Sequence, residues 1–182
     1  MSYKPNHPWY NHSLSGSVCD FLRPTVDMIN IHDIATALSN SCRFNGQINR
    51  FYSVAEHSVR VAWLVSDERK FQALMHDAAE AYLGDVARPL KGMMSGYDEL
   101  EARFEKVIAE KFGVEQFPSS EIKKADTTLV YAESKKFRGE HSTDDWQDFG
   151  NYDPTFALGD SAGWQSSFAR RSFIDAFEEY SC

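Results

Sequence analysis

The chain has 182 residues, a net charge of -8 and 14% aromatic residues, values that suit one globular domain with a sizeable core. The acidic balance argues against a surface built for duplex nucleic acid or anionic membrane, while leaving room for a local basic pocket for one phosphate ester. Three cysteines (Cys19, Cys42 and Cys182) make no pair at metal spacing, and no apolar run approaches the ~18 residues that span a bilayer. With an N-terminus unlike a signal peptide, the expectation is a cytoplasmic protein without membrane or nucleic-acid partners. Residues 1–29 are turn-rich, with Pro5, Pro8, Gly16 and Pro24, and predict an irregular arm. A core over 30–137 follows. It opens with a short helix from Ile31 to Leu38 and a connection through Cys42-Arg43-Phe44-Asn45-Gly46. Ser53-Val54-Ala55-Glu56 is a capping box for a helix running to about Val65. Glu68 to Leu83 reads as one helix stopped by Gly84, and Arg88 to Gly92 as a loop. Helices are predicted from Tyr97 to Phe112, Ser119 to Phe137 and Gln165 to Tyr180, within a C-terminal stretch 164–182. A long loop is predicted over 138–163. Strand alternation does not persist and no repeat is visible, so the class is all-α, a compact helical bundle in one domain over 1–182.

Three of these helices aim an imidazole or a carboxylate at the core. His57 lies on the apolar stripe of its helix, between Val61 and Leu64. His76, Asp77 and Glu80 share an arc of about 100° beside the stripe formed by Phe71, Leu74, Met75, Ala78 and Tyr82. Asp126 falls within the stripe of Ile122, Ala125, Leu129 and Val130, with Glu133 two turns further along. Each has an ordinary explanation: a satisfied core histidine for His57, and a salt bridge to a buried arginine for Asp126. Together, two imidazoles and two carboxylates form a mixed N/O set suited to a first-row divalent ion, Mn, Fe, Co, Ni or Zn. For Glu80 the ordinary alternative is a solvent-exposed helix acid, and for Asp85 a turn residue after Gly84. Arg43, Arg88, Lys91 and Lys123 flank the predicted site and are either phosphate ligands or solvated charges.

The ordered set His57, His76-Asp77 and Asp126 resembles the HD-domain phosphohydrolase superfamily. Local wording extends the likeness: Ser53-Val-Ala-Glu-His57-Ser58, then Leu74-Met-His76-Asp77-Ala-Ala-Glu80-Ala-Tyr-Leu-Gly-Asp85, with Ile31 to Ser39 and Cys42 to Gly46 before them. These resemble the branch of bacterial 5′-deoxynucleotidases and phage deoxynucleoside triphosphohydrolases, above all the phage dATP triphosphohydrolases, over residues 12–137. The resemblance implies an HD core over 30–137 and an enzyme that hydrolyses phosphoric esters. It implies His57, His76, Asp77 and Asp126 as metal ligands, with Mg as an additional ion, and Glu80 and Asp85 as catalytic acids. Arg43, Phe44, Gly46, Pro89, Lys91 and Lys123 become substrate-binding positions. Phe44 stands where the family has Trp. The substrate implied is a nucleotide, and a homo-oligomer is expected.

The leading functional expectation is conversion of dATP to deoxyadenosine and triphosphate, with hydrolysis of deoxynucleoside monophosphates as the alternative. Other HD chemistries, a phosphodiesterase or a di-iron oxygenase, form a second class. The oxygenase would need further histidines, and His7, His12 and His32 do not form a ligand-like pair. A non-catalytic metal-binding domain is the third class.

Overall fold

A computed structural model describes residues 10–139, 158–159 and 161–181, with backbone alone for 10–12. Much of the expected 138–163 loop, and the first nine residues of the arm, lie outside the described residues. The described residues are predominantly helical, as expected of an all-α protein. Among the described residues the α-helices are α1 (Ile31–Asn40), α2 (Val54–Trp63), α3 (Lys70–Met75), α4 (Glu80–Leu83), α5 (Arg88–Lys91), α6 (Tyr97–Phe112), α7 (Ser120–Arg138) and α8 (Ser166–Tyr180). No described helix is long and apolar enough to cross a membrane.

Capping chemistry sets where the principal helices begin. Asn30 Oδ1 accepts the His32 N–H, Ser53 Oγ accepts the Glu56 N–H, and Ser119 Oγ accepts the Ile122 N–H. Each bond satisfies a first-turn donor that has no partner within its own helix. Once started, α2 is buried at almost every position, which is why the Ser53 cap matters to the whole core. Packing is centred on α2, with α3 and α7 against it, while α8 lies across α1, α2 and α3. Ile34, Leu38, Leu74, Phe104, Ile122, Leu129 and Phe173 are fully enclosed.

Three segments differ from expectation. The described end of the arm is not wholly irregular. β1 (Tyr10–His12) and β2 (Val18–Asp20) pair antiparallel, with Asn11 opposite Cys19. The connecting turn is pinned to α1, because Ser15 donates its N–H and its hydroxyl to the Asp33 carboxylate at 2.9 and 2.6 Å. Residues 88–91 form the short helix α5 rather than a loop. Pro89 sits in its first turn, where the missing N–H costs nothing.

The third difference bears on function. Residues 68–83 are not one helix: α3 ends at Met75, α4 starts at Glu80, and the His76-Asp77 pair occupies the turn between them. The backbone stays right-handed but tightens to i→i−3 hydrogen bonds. Ala78 N–H donates to Met75 O, Glu80 N–H to Asp77 O, and Tyr82 N–H to Ala79 O. Such tightening inside a helical run often marks a functional hinge or local strain.

Candidate metal centre

Of the four expected ligands, His57, His76 and Asp126 converge and Asp77 lies beside them. His57 Nε2 lies 3.1 Å from Asp126 Oδ1 and 3.6 Å from Asp77 Oδ2. His76 Nε2 lies 3.2 Å from Asp77 Oδ1 and 4.0 Å from Asp126 Oδ1. One ligand atom from each of His57, His76 and Asp126 lies within 4.8 Å of the others. Asp77 borders this trio from the HD turn. Donors held about 2.1 Å from a shared tetrahedral ion sit about 3.4 Å from one another, so these separations suit one cation.

Hydrogen bonding sets which ring nitrogen faces that point. His76 Nδ1 lies 2.7 Å from the Ala73 carbonyl oxygen, which accepts only if Nδ1 carries the proton, leaving the Nε2 lone pair to the site. His57 Nδ1 lies 2.7 Å from Glu133 Oε1. Both Nε2 atoms are buried and neither has a hydrogen-bond partner among the described residues. Two buried, inward-facing nitrogens whose nearest polar neighbours are the Asp77 and Asp126 carboxylates could hold a cation.

Electrostatics agree. Burial and the Arg43 guanidinium oppose a proton on His57, yet Glu133 and Asp126 outweigh them and push it up to about 10. Burial likewise opposes ionisation of Asp126, and His57 and His76 hold it well below the usual carboxylate range. The cluster thus demands positive charge. A proton answers part of that demand, and a divalent ion with neutral imidazoles would answer it better.

The metal point opens into a cleft of about 430 Å³, lined in part by His76, Asp77, Glu80, Arg88, Lys91 and Lys123. Glu80 is buried and its Oε2 has no hydrogen-bond partner among the described residues. Burial pushes it well above the ordinary carboxylate value, reinforced by Asp77 and Asp85. Asp85 follows Gly84 outside the cleft lining, and burial raises it too, with Arg43 opposing.

The expected phosphate and base positions are scattered. Lys91 Nζ is 2.6 Å from Glu101 Oε1 and 3.6 Å from Glu80 Oε1, so it is already paired. Arg43 is buried beneath the site, its Nε 3.0 Å from Glu133 Oε2 and its Nη1 3.6 Å from Asp77 Oδ2. Lys123 and Pro89 are exposed; Lys123 lines the cleft, while Pro89 is the neighbour of the lining residues Arg88 and Lys91 by sequence. Phe44 adopts a left-handed backbone, φ 56°, with Asn45 and Gly46 following in the same region. The Phe44 ring lies 5.7 and 5.5 Å from the Arg43 and Arg138 guanidinium carbons. Neither Phe44 nor Gly46 lines the cleft.

Other contributors were less visible in the sequence. Glu101 and Glu105 line the cleft from α6, one helical turn apart on the line of Tyr97 and Ile108. Glu133 holds both His57 and Arg43. Its signal was a carboxylate on the buried stripe of α7, seven residues past Asp126.

No protein-family model matches the chain. The uncharacterized protein YfdR of Escherichia coli (strain K12) is 45% identical over 109 residues, 60% of this chain; that segment spans 61% of YfdR, less than two thirds of its length. The uncharacterized protein RCAP_rcc00048 of Rhodobacter capsulatus is 35% identical over 160 residues, covering 80% of this chain and 82% of the relative. At that identity and coverage, the chain belongs to the family of RCAP_rcc00048.

Proposed function

We propose that this protein is a divalent-metal-dependent phosphohydrolase of the HD-domain kind, acting on deoxynucleotides, with dATP converted to deoxyadenosine and triphosphate. The observation that carries this reading is the pair of buried Nε2 atoms, facing Asp77 and Asp126 beside a cleft walled by Glu80. A cleft of about 430 Å³ is large enough for a nucleotide. His57, His76, Asp77 and Asp126 would hold the ion, which supplies Lewis acidity toward a phosphoryl oxygen and acidifies water. Mn, Fe, Co, Ni and Zn all suit this ligand set, with Mg an additional candidate.

Glu80 is the proton acceptor in this reading. It is close to Asp77 in the chain, lines the cleft and leaves one oxygen without a partner. Water adds its oxygen to the α-phosphorus, the bond from phosphorus to the 5′-oxygen breaks, and that oxygen leaves with a proton. Asp85, raised by burial and by Asp77, is the second acid available for this exchange. Arg88 and Lys123 have no carboxylate partner among the described residues and meet phosphate charge at the mouth.

That same count favours a second reading. Two cleft cations without a carboxylate partner among the described residues match a phosphate monoester dianion better than a triphosphate, so hydrolysis of a deoxynucleoside monophosphate to deoxynucleoside and phosphate stands beside the first. A panel of dNTPs, NTPs and monophosphates with Mn²⁺ or Co²⁺, with and without chelator, separates them. Chelator-sensitive triphosphate supports the first reading and orthophosphate from monophosphates the second. Neither product from any nucleotide overturns both.

A further inference from the structure

The Glu133 carboxylate is fully buried, and both of its oxygens are engaged by the site. Oε1 lies 2.7 Å from His57 Nδ1, while Oε2 accepts the Arg43 Nε–H at 3.0 Å. Arg43 in turn reaches Asp77 Oδ2 at 3.6 Å. An unbroken chain Asp77–Arg43–Glu133–His57 therefore joins the HD turn to α2 through a residue of α7, the helix that also carries Asp126. A carboxylate buried this deeply persists only if its charge is matched, and here one guanidinium matches it permanently. With Arg43 supplying that charge, Glu133 is left as an acceptor toward His57.

We infer that Glu133 is a positioning residue for the metal centre: it fixes His57 with the proton on Nδ1 and Nε2 free for the cation, and holds Arg43 against Asp77. The inference rests on the metal site of the proposed function but not on any hydrolytic activity. Its logic is tautomeric. An acceptor at Nδ1 requires the proton there, so the lone pair faces the cation point. An amide in place of the carboxylate can present its NH₂ to Nδ1, which would reverse the ring and put N–H where the ion must bind. It also withdraws the charge that pairs Arg43, freeing the guanidinium to compete with a cation for Asp77.

The test measures Mn²⁺ binding to metal-stripped protein by titration calorimetry, for wild type, Glu133→Gln and Glu133→Asp, with circular dichroism as the check on fold. We expect Glu133→Gln to bind Mn²⁺ about 10–100-fold more weakly. Glu133→Asp, which keeps the charge, should recover part of that loss. A folded Glu133→Gln protein with wild-type affinity overturns the inference, whatever its effect on nucleotide hydrolysis. If Glu133→Gln does not fold, long-range ¹H–¹⁵N spectra of zinc-loaded wild type decide. Protonated Nδ1 with coordinated Nε2 at His57 supports the inference; the reverse, or an uncoordinated His57, overturns it. Wild-type protein that binds metal but hydrolyses no nucleotide would sink the proposed function and leave this inference standing.

Discussion

Glu56 and Trp164 are 108 residues apart, yet the buried Glu56 carboxylate accepts the Trp164 backbone N–H at 2.7 Å. The same carboxylate accepts the Gly163 N–H and pairs with Arg60 at 2.9 Å. Arg60 in turn lies 4.9 Å from the Trp164 ring. One residue before His57, this contact ties the start of α8 to the helix that carries a metal ligand. Glu56→Ala leaves buried donors without their acceptor and should cost about 3 kcal/mol. Thermal unfolding should show a midpoint about 6–12 °C lower.

The Asp33 carboxylate that pins the β1–β2 turn is held below its ordinary value of 3.8; burial opposes this, but the Ser15 hydroxyl and N–H outweigh it. A depressed carboxyl adds stability that is present above its unfolded pKa and is lost as pH falls through the folded one. Asp33→Asn should therefore be less stable than wild type near pH 7. The gap in unfolding midpoint should close as the pH is taken below about 3.8. A gap unchanged across that range would contradict the assignment.

Binding of a cation only to the folded chain raises stability by mass action, about 2.7 kcal/mol at a hundredfold excess over Kd. Adding Mn²⁺ to chelator-stripped protein should raise the melting point by about 5–10 °C. His57→Ala and Asp126→Ala should lose most of that shift, because each removes a donor from the shared point. Differential scanning fluorimetry is sufficient to read this.

Glu80 lines the cleft without a partner for Oε2 among the described residues and lies outside the closest ligand set. Glu80→Gln should keep Mn²⁺ affinity within about threefold while nucleotide turnover falls on the order of 10²–10⁴-fold. Parallel calorimetry and steady-state kinetics separate the two effects. Full turnover by Glu80→Gln would remove Glu80 from the role of proton acceptor.

Glu101 occupies Lys91 at 2.6 Å within the cleft. Glu101→Gln should release that ammonium toward substrate phosphate and lower KM about 3–10-fold, the effect of roughly 1 kcal/mol at a partly exposed charge. A Lys91→Met change in the same background should abolish the gain. If KM stays at the wild-type value in Glu101→Gln, Lys91 is not a phosphate ligand.

Several features of this fold were visible before any coordinates. The Ser53-x-x-Glu56 pattern marks the start of α2 through the Ser53 cap, although the Glu56 carboxylate turns to Gly163, Trp164 and Arg60 instead of closing a capping box. The apolar stripe of α7 identified Asp126 as an inward-facing acid. The break within 68–83 was hidden because no Gly or Pro interrupts Lys70–Leu83. There the backbone tightens while His76 Nδ1 and the Ala73 carbonyl bond to each other, a choice made by the surroundings of the ring. Helix α5 had a signal in Pro89, which marks helix starts as readily as loops. The left-handed backbone at Phe44 and Asn45 had none, since neither residue requires it.

By itself the sequence determined the helical class, the registers of α2 and α7, and the residue types capable of holding a cation. Those follow from periodicity and capping, which act within a few residues of chain. Only the tertiary structure decided the pairings: Arg43 and His57 to Glu133, and Lys91 to Glu101 rather than to open solvent. A charged side chain takes the partner that folding brings nearest, and across 76 or 90 residues no local pattern encodes that distance.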